Sequence, residues 1–384
     1  MKELGIYIHI PFCIRKCAYC DFLSAPAGEE ERERYAQMLC RELTLKNRGK
    51  KEYLVTSVFF GGGTPSILRT DQTERILNTI RREFRVSEDA EITMEANPGT
   101  LKKEQLLACR RMGFSRLSLG LQSADDRELA LLGRIHTWED FLRTFDIARR
   151  AGFDNLNVDL MAALPGQTRE GFSDTLDRVL RLQPEHFSVY SLIVEEGTPF
   201  FLRYGEDARR REAGEETFLL PSEEEERAMY ADTVERLAAA GYDHYEISNY
   251  ARKGYICRHN DNCWRRVEYL GFGIGAASLY DNRRFSVHRD LGRYLNGDFT
   301  EEEEILLSQR EQMEETMFLG LRRMEGVSET AFEEAFQVTV GSVYGPELRR
   351  FTGEGLLSVR DGRIFLTDRG LDVASYVMAG FLKD

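Results

Sequence analysis

Three cysteines near the amino terminus are the residues best suited to chemistry in this sequence. Cys13, Cys17 and Cys20 form a C-x₃-C-x₂-C motif directly after the apolar segment GIYIHI at residues 5–10. Three thiolates can bind three irons of a [4Fe–4S] cube and leave the fourth iron open, whereas ferredoxin spacings supply a fourth cysteine. Structural zinc usually takes four ligands at paired spacings. The motif therefore favours an iron–sulfur cluster with one open iron over a zinc site.

A glycine-rich segment follows the second apolar run of the chain. Gly61, Gly62 and Gly63 stand before Thr64 and Pro65, directly after LVTSVFF at residues 54–60. Glycines let a ligand approach the backbone, and exposed N–H and C=O groups can meet an ammonium and a carboxylate. No Gly-Lys-Ser/Thr follows, so the segment is not the phosphate-binding P-loop of a nucleoside triphosphatase. An open iron next to it could chelate the amino and carboxylate groups of S-adenosylmethionine (SAM).

The elements that would position these residues alternate between strand-like and helix-like segments. About six βα units occupy the first 200 residues, which implies a parallel sheet wound into a full or partial barrel. Residues that could bind ligands or take part in chemistry follow successive strands: Cys13–Cys20, Gly61–Gly63, Glu95, Gln122 and Asp159. We therefore predict an α/β fold, a partial (β/α)6 TIM-like barrel whose site lies at the carboxyl ends of its strands.

The remainder of the chain has a different pattern. The charged segment 206–216 predicts a solvated excursion, and Ser222 with Glu225 predicts a capping box for a helix over 223–240. The acidic run 301–304 predicts a linker or a helix start. Beyond it, helices and a hairpin at Asp361-Gly362 predict a small winged-helix-like domain.

Composition narrows the class of protein. The 384 residues carry a net charge of −13, which disfavours non-specific binding to nucleic acid or to an anionic membrane. No apolar stretch is long enough to span a bilayer, and the amino terminus does not have the pattern of a signal peptide. The seven cysteines are unevenly spaced, unlike a secreted disulfide framework. We expect a cytoplasmic protein that binds no nucleic acid and has no transmembrane segment.

Taken together, these residues resemble the radical SAM superfamily. Within it they are most similar to the branch of the oxygen-independent coproporphyrinogen III oxidases and the HemW-type heme chaperones, over nearly the whole chain. The segments that carry the likeness are YIHIPFC (7–13), FGGGTPS (60–66), EANP (95–98), LGLQS (119–123), DLMAALPGQT (159–168), YSLIVEEGTPF (190–200) and HNDNCW (259–264). The resemblance implies a radical SAM barrel over 1–240, a HemW-type motif segment over 241–300 and the C-terminal domain over 301–384.

Two features favour the chaperones over the oxidases. Phe22 stands where the oxidases carry a further cysteine. In addition, Cys13 is not preceded by the long N-terminal extension that helps the oxidases bind substrate. The chain also departs from the HemW pattern: Cys263 replaces the tyrosine of H-N-x-x-Y-W, Ala277 stands where many relatives have histidine, and Ala163 where many have glycine.

The resemblance also implies ligands and the residues that bind them. The cluster would be held by Cys13, Cys17 and Cys20, and the SAM at the cluster by Tyr7, Gly62 and Glu95. The space for a second SAM or for substrate would be lined by Tyr19, Gly63, Thr64, Gln122, Arg134, Asp159 and Ile193. The implied partners are heme, client hemoproteins and a flavodoxin-type or ferredoxin-type electron donor. Competence of the cluster for SAM cleavage is expected, and coproporphyrinogen oxidase activity is not.

His259 is the histidine that we select as a candidate heme ligand. It starts the H-N-x-x-Y-W-like segment, which we expect to be a polar loop, with Trp264 and a glycine-rich stretch behind it. Imidazole is a common axial ligand of heme iron. The alternative is that His259 only braces the turn, and a second metal site with Cys257 and Cys263 is a further possibility.

Two other functions stay open at this point. One is an active coproporphyrinogen oxidase or another tetrapyrrole-modifying radical SAM enzyme. The other is a DNA-binding regulator that uses the C-terminal helices, against which the acidic charge and the complete cysteine motif both count.

Overall fold

The computed structural model describes residues 1–47 and 52–382, and one twelve-stranded sheet dominates it. The sheet runs in the order β12-β11-β10-β9-β1-β2-β3-β4-β5-β6-β8-β7. Its strands are β1 (Lys2–Ile10), β2 (Tyr53–Gly62), β3 (Val86–Ala96), β4 (Arg116–Gln122), β5 (Leu156–Ala162), β6 (His186–Ser191), β7 (Asp243–Glu246), β8 (Asn249–Ala251), β9 (Tyr269–Phe272), β10 (Ala277–Tyr280), β11 (Arg283–Val287) and β12 (Glu301–Leu306). Strands β1 to β6 are mutually parallel and follow chain order, which confirms the predicted α/β barrel-like fold.

Helices alternate with these strands and continue into the carboxyl-terminal region. They are α1 (Glu29–Leu45), α2 (Thr70–Glu83), α3 (Lys103–Met112), α4 (Asp126–Leu131), α5 (Trp138–Arg150), α6 (Arg169–Leu180), α7 (Pro199–Glu212), α8 (Glu223–Ala239), α9 (Arg258–Trp264), α10 (Leu291–Leu295), α11 (Gln309–Gly320), α12 (Glu329–Phe336), α13 (Val340–Gly353), α14 (Asp368–Asp372) and α15 (Ala374–Ala379). None of them is long and apolar enough to cross a bilayer.

The apolar pattern of the sequence explains the main core. Ile6, Ile8 and Ile10 of β1 are fully buried, as expected of a parallel strand covered on both faces. Helix α1 covers the sheet with Leu39 and Leu43, which are also fully buried. Burial of apolar surface at roughly 25 cal/mol per Å² is the main force that holds helices on such a sheet. The carboxyl ends of β1 to β6 are thereby fixed side by side.

The carboxyl-terminal region packs around a second core. Helices α11 to α15 surround a three-stranded sheet of β13 (Val327–Ser328), β15 (Arg363–Leu366) and β14 (Leu357–Arg360). The predicted hairpin is confirmed, because β14 pairs antiparallel with β15 and both turn residues have positive φ, 54° at Asp361 and 70° at Gly362. The predicted domain limits at 240 and 300 stay a proposal.

Of two local expectations, one is confirmed and one is wrong. The segment 206–216 is largely exposed, as expected of a solvated excursion, and its first part belongs to helix α7. The buried Asp207 carboxylate anchors it by accepting the N–H groups of Leu219 at 2.6 Å and Leu220 at 2.7 Å. The acidic run 301–304 belongs to strand β12. Arginines of the neighbouring strand β11 offset its like charges. For example, the guanidinium of Arg283 lies 2.6 Å from Glu304. The capping box of Ser222 and Glu225 is confirmed at the start of α8.

Candidate functional site

A cavity of about 520 Å³ opens at the carboxyl ends of the parallel strands. It is lined by loops that follow β1 to β6 and, from below, by β8 and α9. The structure brings these predicted residues to its wall: Cys13, Cys17, Tyr19, Cys20, Gly62, Gly63, Thr64, Glu95, Gln122, Arg134, Asp159 and Ile193. Tyr7 lies beside Glu95, and His259 lies away from the cavity.

The cysteine loop is tied to its neighbours through backbone hydrogen bonds. The amide of Cys13 donates to Ala25 at 3.1 Å, and the amide of Ala18 donates to Leu132 at 3.0 Å. Two side chains direct donors at sulfur: the Thr64 hydroxyl lies 3.3 Å from Cys13 Sγ and Arg134 Nη1 lies 3.5 Å from Cys17 Sγ. Such donors could also hydrogen-bond to sulfur that is bound to iron. Burial raises the pKa of the Cys20 thiol.

The donor set fits a cluster better than a single ion. In the described part of the chain, no three His, Cys, Asp or Glu side chains converge as ligands of one metal ion. A zinc ion needs its ligands on one tetrahedron, whereas a cube takes three thiolates on three separate irons. Three unpaired cysteines that share one cavity wall meet the second requirement. Among the described residues, Cys257, His259 and Cys263 do not form a second metal site either.

The glycine segment forms the part of the wall next to Cys13, because it packs directly on the start of the cysteine loop. Gly63 donates its amide to Ile10 at 2.8 Å, and a Cβ there would lie 2.7 Å from the carbonyl oxygen of Phe12. Gly62 has φ +105°, and a Cβ there would lie 2.5 Å from the ring of His9. Only glycine fits either position. The backbone at Gly62 is consequently open to a ligand on its cavity side.

Two carboxyl groups of the wall sit in a desolvated environment. Burial, with a smaller contribution from Asp159, raises the pKa of Glu95 to about 8, and Glu95 Oε2 accepts the amide of Gly62 at 3.1 Å. Burial also raises the pKa of Asp159, which accepts from Asn157 Nδ2 at 2.6 Å. Burial and then Glu95 raise the pKa of the Tyr7 phenol, so Tyr7 stays neutral. A ligand that offers a cation or several donors would stabilise both carboxylates.

The polar side chains beyond the carboxyl end of β4 are held in place by hydrogen bonds. Gln122 has the positive φ of 77°, and its Oε1 accepts the Tyr190 hydroxyl at 2.9 Å. Arg134 donates to Asn97 Oδ1 at 2.7 Å while its other nitrogen faces Cys17. A buried guanidinium between a thiol and an amide places positive charge beside the cluster loop, where it would offset the negative charge of a thiolate-bound cluster.

His259 is the predicted site residue that the structure does not bring to the cavity. The segment expected as a polar loop is helix α9, which lies inside the barrel on the amino-terminal side of the strands. The His259 ring stacks on Phe59 at 5.2 Å between centroids, and Nδ1 lies 3.1 Å from the hydroxyl of Ser57. The side chain is buried, and burial lowers its pKa to about 4. This geometry matches the bracing alternative, and the heme-ligand role stays a prediction without support from the fold.

Sequence reasoning missed the residues that form the floor of the cavity. Asn249 of β8 and Asn260 of α9 both line it, and Asn249 Oδ1 accepts the hydroxyl of Ser188 at 2.7 Å. The fully buried Glu246 accepts the side-chain amide of Asn249 and lies 3.4 Å from the guanidinium of Arg322, beyond α11. The only sequence signal was the place of Asn260 beside His259. Nothing in the local pattern connects Asn249 to a site formed by much earlier parts of the chain.

Comparison with known proteins shows which families and solved structures this chain is similar to. Residues 7–179 match the family described as Radical SAM superfamily, and residues 307–373 match the HemN C-terminal domain. Among solved structures, coproporphyrinogen III oxidase (HemN) from Escherichia coli superposes with a TM-score of 0.83 at 23% identity, over 99% of this chain and 90% of that one. At that identity the likeness shows the fold.

Curated relatives are similar in sequence over most or all of their length. The heme chaperone HemW of Lactococcus lactis is 34% identical over 100% of this chain and 98% of its own. HemW of Bacillus subtilis is 34% identical over 98% and 99%, and HemW of Escherichia coli is 38% identical over 72% and 70%. With these relatives and the matched domains, the chain belongs to the radical SAM superfamily and, within it, to the HemW family.

Proposed function

We propose that this protein is a heme chaperone that keeps a radical SAM [4Fe–4S] site and delivers heme to client hemoproteins. The observation that carries the proposal is full-length similarity to HemW proteins. The cavity supports it, because the cysteine loop and the glycine segment share its wall. Phe22 supports the chaperone over the oxidase, since a phenyl ring cannot supply any role of the thiol found there in the oxidases. A cytoplasmic location is part of the proposal.

The assignment of residues follows the cavity. Cys13, Cys17 and Cys20 would hold the cluster, and Arg134 would screen its charge from behind Cys17. Gly62 and Glu95 would bind the SAM at the open iron, with Tyr7 supporting Glu95. A [4Fe–4S] cluster held by these three cysteines would supply one-electron reduction of SAM, the chemistry of the radical SAM superfamily. A flavodoxin-type or ferredoxin-type protein would provide that electron.

The remaining wall residues would define a second compartment. Tyr19, Gly63, Thr64, Gln122, Arg134, Asp159 and Ile193 surround the space between the cluster loop and β6. Hydrogen-bonded side chains such as Gln122 and Asp159 suit a polar ligand, either a second SAM or part of a tetrapyrrole. Hydrogen bonds from Tyr190 to Gln122 and from Asn157 to Asp159 hold these side chains in place before any ligand arrives.

One sample can test the proposal. The protein is reconstituted anaerobically with iron and sulfide, then divided for a hemin titration and for an assay with coproporphyrinogen III, SAM and a reductant. We expect hemin binding and no protoporphyrinogen IX by chromatography. Product that depends on both SAM and reductant would replace the chaperone with the oxidase, and absence of hemin binding would remove the chaperone function.

A further inference from the structure

Two large apolar side chains stand exposed at the cavity mouth. Phe22, two residues after the last cluster cysteine, is 60% exposed, and Ile193, two residues after β6, is 69% exposed. Both line the cavity, so they belong to one continuous surface, and we call them the rim pair. Exposed apolar groups that converge on a cavity mark binding surfaces more often than isolated ones do.

The two residues of the rim pair follow two different strands of the parallel array. Phe22 belongs to the loop after β1, and Ile193 lies just beyond β6. Deeper in the cavity lie the cysteines and the polar wall, which the cluster and SAM would occupy. A ligand on the rim pair would therefore lie outside SAM, with one edge toward solvent.

Charge at the mouth is arranged around Phe22. The Lys16 ammonium lies 2.9 Å from the carbonyl oxygen of Phe22, and this contact uses one of its three donors. Of the four acidic residues that line the cavity, Asp21 and Glu195 lie next to Phe22 and close to Ile193 in the chain. A flat apolar ligand with carboxylates along one edge would direct that edge to Lys16 and away from both acids.

We propose that heme binds on the rim pair, its macrocycle face on Phe22 and Ile193 and a propionate on Lys16, without a histidine–iron bond. This inference rests on the proposed function and adds the place and the manner of binding. No histidine lines the cavity within the described residues, and the imidazole of His259 is buried in α9. Affinity would then come from apolar burial and stacking, which do not depend on the iron.

This manner of binding suits transfer. A ring held by its faces and one exposed ion pair can slide out at the open edge, because no coordinate bond has to break. An exposed ion pair adds little net affinity, so Lys16 would orient the ring more than it would hold it.

The test uses cluster-reconstituted protein and four ligands: hemin, gallium(III) protoporphyrin IX, metal-free protoporphyrin IX and hemin dimethyl ester. We expect Phe22→Ser and Ile193→Ser each to weaken hemin binding about five- to tenfold, since one aromatic or aliphatic contact contributes about 1 to 1.5 kcal/mol. The gallium and metal-free porphyrins should each bind the wild type within about threefold of hemin. The dimethyl ester should bind more weakly, with no further loss in Lys16→Met.

Matched controls separate the possible failures. Leu202→Ser alters a side chain that is 89% exposed on α7 but not part of the cavity wall, and Lys253→Met removes a charge beyond β8. Both should bind hemin as the wild type does. Equal hemin affinity in the Phe22→Ser/Ile193→Ser double variant, or failure of metal-free porphyrin to bind, would overturn the rim site and leave the proposed function intact. A wild type that binds no hemin would overturn the proposed function itself.

Discussion

The mouth and the floor of the cavity are built in opposite ways. At the mouth, Cys13, Cys17 and Cys20 are partly exposed, and Phe22 and Ile193 face solvent. On the floor, the polar side chains satisfy one another: Asn249 bonds to Ser188 and Glu246, and Glu246 to Arg322. Groups at the mouth have bonding capacity to spare for a ligand. Groups on the floor have used theirs, so changes at the mouth should affect binding and changes on the floor should affect stability.

Loss of a cluster cysteine should give the largest effect on binding. In Cys17→Ala two thiolates remain, too few to hold the cube, so we expect no stable [4Fe–4S] absorbance after anaerobic reconstitution. The melting temperature of the cofactor-free protein should change little because Cys17 is only partly buried. Cys40→Ala, in helix α1, is the matched control and should reconstitute fully. A triple alanine variant that still held a complete cluster would contradict the assignment.

The same wild-type cluster should respond to SAM. Because one iron lacks a protein thiolate, SAM should change the EPR spectrum of the reduced cluster.

Disruption of the floor should give the largest effect on stability. Glu246→Ala removes the ionic partner of the partly buried Arg322 and the acceptor of the Asn249 amide and of the Ser248 N–H. We expect the free energy of unfolding to fall by about 2 to 4 kcal/mol, measured by denaturant titration, with cluster content per folded protein unchanged. Glu304→Ala, which breaks an exposed pair with Arg283, should cost under about 1 kcal/mol. Equal losses in the two variants would remove the distinction.

Glu95 lies between these regions, and its behaviour depends on pH. In the unfolded chain its pKa is 4.5, and in the folded protein it is raised to about 8. Between these values the folded state keeps a proton that the unfolded chain releases, so the free energy of unfolding falls by up to about 1.4 kcal/mol per pH unit. Below pH 4.5 and above pH 8 this group adds no slope.

The Glu95→Gln variant isolates this contribution. It keeps an acceptor for the amide of Gly62 but cannot ionise. We expect the cofactor-free variant to lose less stability than the wild type between about pH 6 and pH 8, by at least about 1 kcal/mol. Parallel slopes in the two proteins would show that Glu95 ionises normally in the folded state.

The smallest effect should come from His259. His259→Phe keeps the stacking on Phe59 and removes only the hydrogen bond to Ser57, a loss of about 1 kcal/mol in unfolding free energy. Hemin affinity and the position of the Soret band should not change. A shifted Soret band in this variant would return His259 to the role of iron ligand.

The cavity wall at the strand ends could be predicted well from the sequence and the floor poorly, for a physical reason. The parallel strands and the residues at their carboxyl ends follow from local apolar runs and chain order, so Glu95, Gln122 and Asp159 could be placed at the site from the sequence alone. The floor arises from α9 returning across the barrel, a long-range event that no period or cap encodes. The placement of His259 in a polar loop was wrong because helix α9 is buried by tertiary packing.

The open sheet has two edge strands, β7 and β12, and each is protected from pairing with another molecule in a different way. At β7 the chain covers its own edge: Met324 donates its amide to Tyr245 at 3.0 Å, and Ile247 donates to Arg322 at 3.1 Å. At β12 the edge carries the acidic run 301–304, largely exposed. A second copy that approached this edge would bring two rows of carboxylates together, which opposes strand pairing between molecules. A sheet that stays open at β12 thus carries its own protection against aggregation through that edge.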